Sequence, residues 1–244
     1  MKLRRLAGGM ALTAGGVAFA HSLPGVVAWR SARSLLLPKL SGVGRADHVA
    51  LTFDDGPDPA STPLILDEVE RLGWRATFFC LGSQVRRSPG LARELVERGH
   101  EIAVHGDNHT SHLVRPAPWT IRDVRRATDT IEQVTGVTPR WFRPPYGGVS
   151  VSSFLAGMRM QLDMVLWTTW GVDWREDSTG WSVAKRVAAT FRPGATVLLH
   201  DSDITSAPGS WRSTLDSLPL LAEQWGQQGL TVGPLSEHGV GGSG

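Results

Sequence analysis

The chain has a single cysteine, Cys80, and that scarcity excludes a cysteine-based zinc site. One cysteine permits an oxidising compartment without arguing for it. No acidic or basic tract runs longer than a few residues, and the formal net charge is only +2. A nucleic-acid or other polyanionic partner is therefore not implied, in spite of a pI near 9.1. Long apolar runs are also missing. The most apolar stretch, residues 6–20, is broken by four glycines and falls short of the about 20 apolar residues that a spanning helix needs. Nothing in the pattern points to oligomerisation, so a monomer is expected. What remains is a globular composition, 41% hydrophobic and 20% charged over 244 residues, enough for one domain with a large core.

The N-terminus has a layout of its own. Lys2, Arg4 and Arg5 precede the apolar stretch, and Ala18-Phe19-Ala20 has the form of a cleavage site. Residues 1–20 therefore read as a secretory signal peptide or membrane anchor, which implies export or membrane association. Residues 21–45 read as a connector, 46–236 as the catalytic domain, and 237–244 as a flexible Gly-rich tail.

Chemistry is concentrated at the ends of apolar runs. Val49-Ala50-Leu51 leads into Thr52-Phe53-Asp54-Asp55-Gly56-Pro57. Adjacent side chains on an extended backbone point in opposite directions, so one carboxylate can bind a metal while the other takes a proton from water. A plain Asx-type turn is the alternative. Ile102-Ala103-Val104 leads into His105-Gly106-Asp107-Asn108-His109. Two histidines four apart, one carboxylate and an open position suit a catalytic metal site. Arg143-Pro144-Pro145-Tyr146-Gly147 follows Trp141-Phe142, Asp173-Trp174 follows an apolar run at 164–167, and His200-Asp201 follows Thr196-Val197-Leu198-Leu199.

Strand patterns at 48–53, 76–81, 101–105, 140–143, 164–168, 195–200 and 230–232 alternate with helical ones. Thr62-Pro63 and Ser88-Pro89 look like helix starts, Gly73 and Gly99 like stops. Ile121, Val124, Thr128, Ile131 and Val134 share one helical face; Trp211, Leu215, Leu218, Ala222 and Trp225 share another. Seven strands separated by helices predict a parallel α/β fold with right-handed crossovers. In such a fold the polar groups above collect at the C-terminal strand ends.

In order, TFDDGP, HGDNH, RPPYG, DW and LLHD resemble the five motifs of the NodB-homology polysaccharide deacetylases, carbohydrate esterase family 4, over residues 46–233. Two departures stand out. Gly106 replaces the usual Ser or Thr of the second motif, and Trp170 stands where an acidic residue often precedes the fourth-motif Asp173. The resemblance implies a distorted, incompletely closed (β/α)7 barrel and a metal-dependent removal of N-acetyl groups from a cell-wall polymer such as peptidoglycan or a chitin-like chain. By the same resemblance Asp55, His105 and His109 hold a divalent ion, Zn²⁺ first, with Co²⁺, Mn²⁺ or Ni²⁺ as alternatives. Asp54, held by Arg143, is the base, and His200, tuned by Asp173, is the acid. Tyr146 offers a backbone N–H to the oxyanion, and Trp174 and Leu198 line an acetyl pocket. The expected partner is a carbohydrate polymer in a shallow, open groove. Competing readings are O-acetyl ester cleavage on xylan-type glycans, deacetylation of a lipid-linked sugar, and a non-hydrolytic glycan-binding barrel. Asp201 reads as a loop-orienting residue and His112 as a surface neighbour of the site. No role is assigned to His21, His48, His100 or His238.

Overall fold

A computed structural model describes residues 30–240. The expected signal or anchor segment, the first part of the connector and residues 241–244 lie outside the described residues. β1, His48–Asp54, is buried along its whole length. Its run of Val, Ala, Leu and Phe suits a parallel strand covered on both faces. Around it stand β2 (Thr77–Cys80), β3 (Glu101–Val104), β4 (Trp141–Phe142), β5 (Asp163–Met164), β6 (Thr169–Trp170) and β7 (Thr196–His200). Every ladder is parallel, in the order β5-β4-β3-β2-β1-β7-β6. A short β8, Thr231–Gly233, pairs with the start of β1.

The helices are α1 (Arg30–Leu36), α2 (Pro38–Ser41), α3 (Thr62–Arg71), α4 (Gly82–Arg87), α5 (Pro89–Glu97), α6 (Ala117–Thr135), α7 (Val151–Arg159), α8 (Gly180–Thr190) and α9 (Trp211–Gln227). Alternation along β1 divides the core. Val49, Leu51 and Phe53 pack outward with Ile65, Leu66, Val197 and Leu221, while Ala50 joins Phe79, Ala103 and Trp141 in a separate inner cluster. Thr52 and Asp54 share the parity of Ala50, so Asp54 ends β1 on the inner side. The outer layer holds the sheet to its helices, each fully buried Phe, Leu or Ile contributing about 1.5–3 kcal/mol.

Three expectations need correction. The pattern at 164–168 is not a strand but the break between two, β5 ending at Met164 and β6 starting at Thr169, because the residues between bond elsewhere. Leu166 N donates to Leu40 O at 2.7 Å and Thr168 N to Thr196 O at 3.0 Å. β5 and β6 are thereby the two edges of the sheet, with no ladder joining them among the described residues.

The connector is the second. Its residues from Arg33 onward fill that seam. Buried Arg33 donates to Trp167 O at 2.6 Å and to Ser41 Oγ at 3.2 Å. Leu40 packs with Leu166, Trp167 and Leu198, and Gly42 O accepts from Thr196 Oγ1 at 2.6 Å.

The tail is the third. His238 and Val240 are buried, and His238 faces His48 with Nδ1 to Nδ1 at 2.9 Å while its Nε2 donates to Gly194 O. The packed chain thus reaches residue 240. Among the described residues no helix is long and apolar enough to cross a membrane.

Candidate metal and catalytic site

Strand register brings the first and fifth motifs together, since Asp54 and His200 are cross-strand partners on β1 and β7. Asp55 follows the end of β1 with φ 83. That left-handed turn undoes the expected opposition of neighbouring side chains and aims both carboxylates at His105. Its Nε2 lies 3.6 Å from Asp54 Oδ2 and 3.4 Å from Asp55 Oδ1. Gly56 must be a glycine, because a Cβ there would meet Asp201 Oδ2 at 2.0 Å. Asp201 itself pins the loop, accepting from Gly56 N at 3.2 Å and Thr62 Oγ1 at 2.6 Å. Thr62, read as a helix cap, instead spends its hydroxyl between Asp58 N and Asp201.

Asp55, His105 and His109 place one ligand atom each within 4.8 Å of one another. Three observations show that the set fits a cation. Asp55 Oδ1 is buried and has no hydrogen-bond partner. It lies 3.4 Å from Nε2 of both histidines. His105 Nδ1 donates to Arg143 O at 2.8 Å, which leaves its Nε2 lone pair facing the carboxylate. Burial lowers His109 and drives His105 down to about 3, so both rings are neutral and ligand-ready. Thr205 Oγ1 donates to Asp55 Oδ2. Sequence reasoning missed Thr205, which sits in a loop with no motif around it.

Gly106 is explained by its surroundings. It has φ 90, and a Cβ on it would meet Asp123 Oδ2 at 2.9 Å. The Asp123 carboxylate stands where a hydroxyl side chain would reach, accepting from Asp107 N at 3.1 Å and from His112 Nε2 at 3.3 Å. Asp107 is held in turn by Arg86 at 2.6 Å. His112, expected at the surface, is fully buried against Phe142 and Trp119; its place is behind the loop.

Gly106→Ser, which restores the usual family residue, is thus expected to harm this chain. Strain at a left-handed non-glycine residue costs about 1–3 kcal/mol, a fall of roughly 2–10 °C in Tm at this size. Zinc affinity should drop with it as the histidine loop shifts. Thermal unfolding and zinc titration check this, and a variant as stable and as tight as the parent refutes the account.

Arg143 is buried beneath the site. Its Nη1 donates to Asp54 Oδ1 at 2.6 Å and to Thr52 Oγ1 at 2.9 Å, and its Nη2 to Leu166 O at 2.8 Å. With Trp170 in place of an acidic residue, Asp54 is the one carboxylate paired with this guanidinium among the described residues. Burial pushes Asp54 above the ordinary carboxylate range, with the Arg143 charge the strongest opposing pull. On the other strand Asp173 Oδ1 accepts from His200 Nδ1 at 2.9 Å, and Oδ2 from His200 N at 2.7 Å and Thr214 Oγ1 at 2.6 Å. Burial works against a charged His200, but the carboxylates of Asp173, Asp55 and Asp54, Asp173 foremost, together outweigh it and the pKa is pushed up to about 10.

The ten residues singled out from sequence all come to this end of the sheet. Asp54, His105, His109, Tyr146, Trp174, Leu198 and His200 line a cavity of about 250 Å³. Asp55, Arg143 and Asp173 bond or abut its lining residues. Trp167 and Trp170 also line it, with ring centroids 5.7 Å apart. Tyr146, at φ 59, sets its ring 4.2 Å from His109. Asp55, Tyr146 and Val172 account for three of the four described non-glycine residues with positive φ, the concentration of strain that functional sites show. A larger cavity of about 380 Å³, by Gly194 and Ala195 just before β7, has Arg192 as its one charged lining residue and no catalytic constellation.

The polysaccharide deacetylase family model matches residues 41–165. Peptidoglycan-N-acetylglucosamine deacetylase PgdA of Listeria monocytogenes is 31% identical over 202 residues, 83% of this chain and 41% of that protein. The chitooligosaccharide deacetylase of a Bradyrhizobium strain is 37% identical over 171 residues, 69% of this chain and 76% of that protein. Among solved structures, peptidoglycan deacetylase PdaC from Bacillus subtilis superposes with TM-score 0.68 at 30% identity, covering 78% of this chain and 89% of that one. A family 4 carbohydrate esterase from Streptomyces lividans gives 0.69 at 26%, covering 79% and 95%. The chain spans less than half the length of PgdA. The parallel sheet open between β5 and β6 is the distorted (β/α)7 barrel of these structures, and the chain belongs to the polysaccharide deacetylase family.

Proposed function

We propose that this chain is a metal-dependent N-deacetylase acting on N-acetylglucosamine-containing cell-wall polysaccharide, with Asp54 as base and His200 as acid. The observation that carries the reading is the pairing of oppositely tuned groups on one cavity. A carboxylate anchored by Arg143 and an imidazolium anchored by Asp173 stand on adjoining strands, beside a buried Asp-His-His triad with an unsatisfied oxygen. A glycan-binding barrel has no use for that set.

Asp55, His105 and His109 would hold the divalent ion, zinc by preference for two imidazoles and one carboxylate. Bound there, the ion would polarise the amide carbonyl and bring water's pKa down towards about 7. Asp54 accepts the proton of the attacking water, and burial suits it to this by raising its basicity. His200 donates a proton to the amine nitrogen as the C–N bond breaks, since an amide anion is a very poor leaving group. Water's oxygen ends in acetate, and its two protons are shared between Asp54 and the products until His200 is recharged. The Tyr146 backbone N–H takes the oxyanion role in this reading, supported by the left-handed conformation that Tyr146 holds beside His109. Trp174 and Leu198, with Trp167 and Trp170, form the apolar wall for the acetyl methyl. Export to the wall, through residues 1–20 as signal or anchor, follows from the substrate.

The test is acetate release by the full chain from N-acetylglucosamine oligomers and from peptidoglycan, with zinc added or chelated. We expect release that chelation abolishes and added zinc restores. No release from either substrate by zinc-loaded protein would discard the reading in favour of ester or lipid-linked substrates.

A further inference from the structure

Back to back with the catalytic cavity lies a second one of about 370 Å³, in the range of roughly 300–1,000 Å³ typical of small-molecule sites. The two draw part of their linings from the same chain segments. Asp54 at the start of the first loop lines one and Asp58 lines the other. In the loop after β7, Thr205 and Ser206 line the catalytic cavity, while Asp203 and Ile204 line the second. Nothing in the mechanism above uses this cavity.

Its chemistry is unspent. Gln84, on α4, is 6% exposed and lines the cavity, yet its amide has no hydrogen-bond partner among the described residues. The amide is open to the cavity, and both its donor and its acceptor are available to a ligand there. Arg87, one turn on, is exposed and likewise without an ion-pair partner among the described residues. Asp58 accepts from Ala60 N and Ser202 Oγ, and Asp203 from Gly209 N, so each carboxylate keeps lone pairs free. Two carboxylates against one guanidinium disfavour an anionic ligand. A mixture of donors and acceptors suits hydroxyl groups, which do both. Pro59 and Ile204 add apolar surface for the C–H face of a ring.

We propose that this cavity is a sugar-binding subsite, taking a neutral pyranose unit of the same glycan whose acetylated unit lies at Asp54 and His200. It rests on the deacetylase reading, whose failure is separately visible below. The full chain carrying Asp54→Asn, loaded with zinc, is titrated calorimetrically with N-acetylglucosamine oligomers from dimer to pentamer. Affinity should rise with length by about tenfold or more. Gln84→Leu and, separately, the surface variant Arg87→Ala should each remove at least about fivefold from the gain, the worth of roughly one net hydrogen bond. Absence of a length gain, or a gain that survives both variants in folded protein, overturns the subsite. Acetate release from the same oligomers by the chain with Asp54 intact tests the reaction by itself. Release without a Gln84-sensitive gain removes only the subsite, and a Gln84-sensitive gain without release upholds it and removes only the reaction.

Discussion

Asp54→Asn should reduce acetate release by about a thousandfold or more, within the range of roughly 10²–10⁴ attributed to one general base and enlarged by lost charge balance. The substitution is isosteric, so Asn can still accept from Arg143 where Oδ1 now does at 2.6 Å. It removes the negative charge that takes the water proton, and with it the one anionic partner of a fully buried guanidinium among the described residues. Breaking such a buried pair from one side costs about 3–5 kcal/mol, so chemical denaturation should register the change as well. The triad is spared, since Asp55, His105 and His109 do not depend on Asp54 for a hydrogen bond. Zinc should therefore still bind. Folded, zinc-loaded variant protein retaining activity within tenfold of the parent would move the base elsewhere. Loss of zinc along with activity would instead recast Asp54 as a ligand.

The ends of strands were the legible part of this protein. Asp54, His105, Arg143 and His200 each follow an apolar run, and parallel topology gathers such positions whatever their separation in sequence. The helices after Thr62 and Ser88 were legible for similar local reasons, from Pro near the start and Gly after the end. What escaped was set by tertiary contact. The run at 164–168 has strand composition, but its amides find Leu40 and Thr196. Residues 33–44 carry no periodic pattern that would reveal a chain segment closing a seam. Asp123 sits between Ile121 and Val124 on a helix where a polar residue reads as solvent-facing, yet it is buried behind Gly106. The backbone at Asp55 is a further case: strand alternation alone separates it from Asp54, and only a positive φ reunites them. Trp170, a departure by family pattern, proves to be cavity wall. Composition cannot tell a missing charge from a replaced one.

The second large effect concerns pH. Asp173 supports His200 from two sides, with Oδ1 on Nδ1 and Oδ2 on the backbone N–H and on Thr214. The folded pKa of about 10 keeps His200 protonated through the neutral range, so the high-pH limb of activity should fall near there, and the low-pH limb where Asp54 takes up its proton. Asp173→Asn keeps an oxygen for the N–H and for Thr214 but turns an amide NH₂ toward Nδ1. Burial is then opposed only by the charges of Asp55 and Asp54, and the imidazole pKa falls from its raised value. A neutral ring is a far weaker acid, so release at pH 8 should drop by about a hundredfold or more. The sign is fixed by the proton count. The acid must be charged and the base uncharged by protons, so the variant recovers part of its rate as pH falls, until Asp54 protonates. The ratio of parent to variant rate should therefore grow steadily from pH 5 to pH 9, measured as kcat/KM on one oligomer with zinc saturating. A structural defect alone would lower the rate by a constant factor at every pH, and a flat ratio would remove Asp173 from the acid's control. Glu in its place restores the charge but lengthens the reach, and partial recovery of the alkaline limb there would show that charge rather than shape holds the proton on His200.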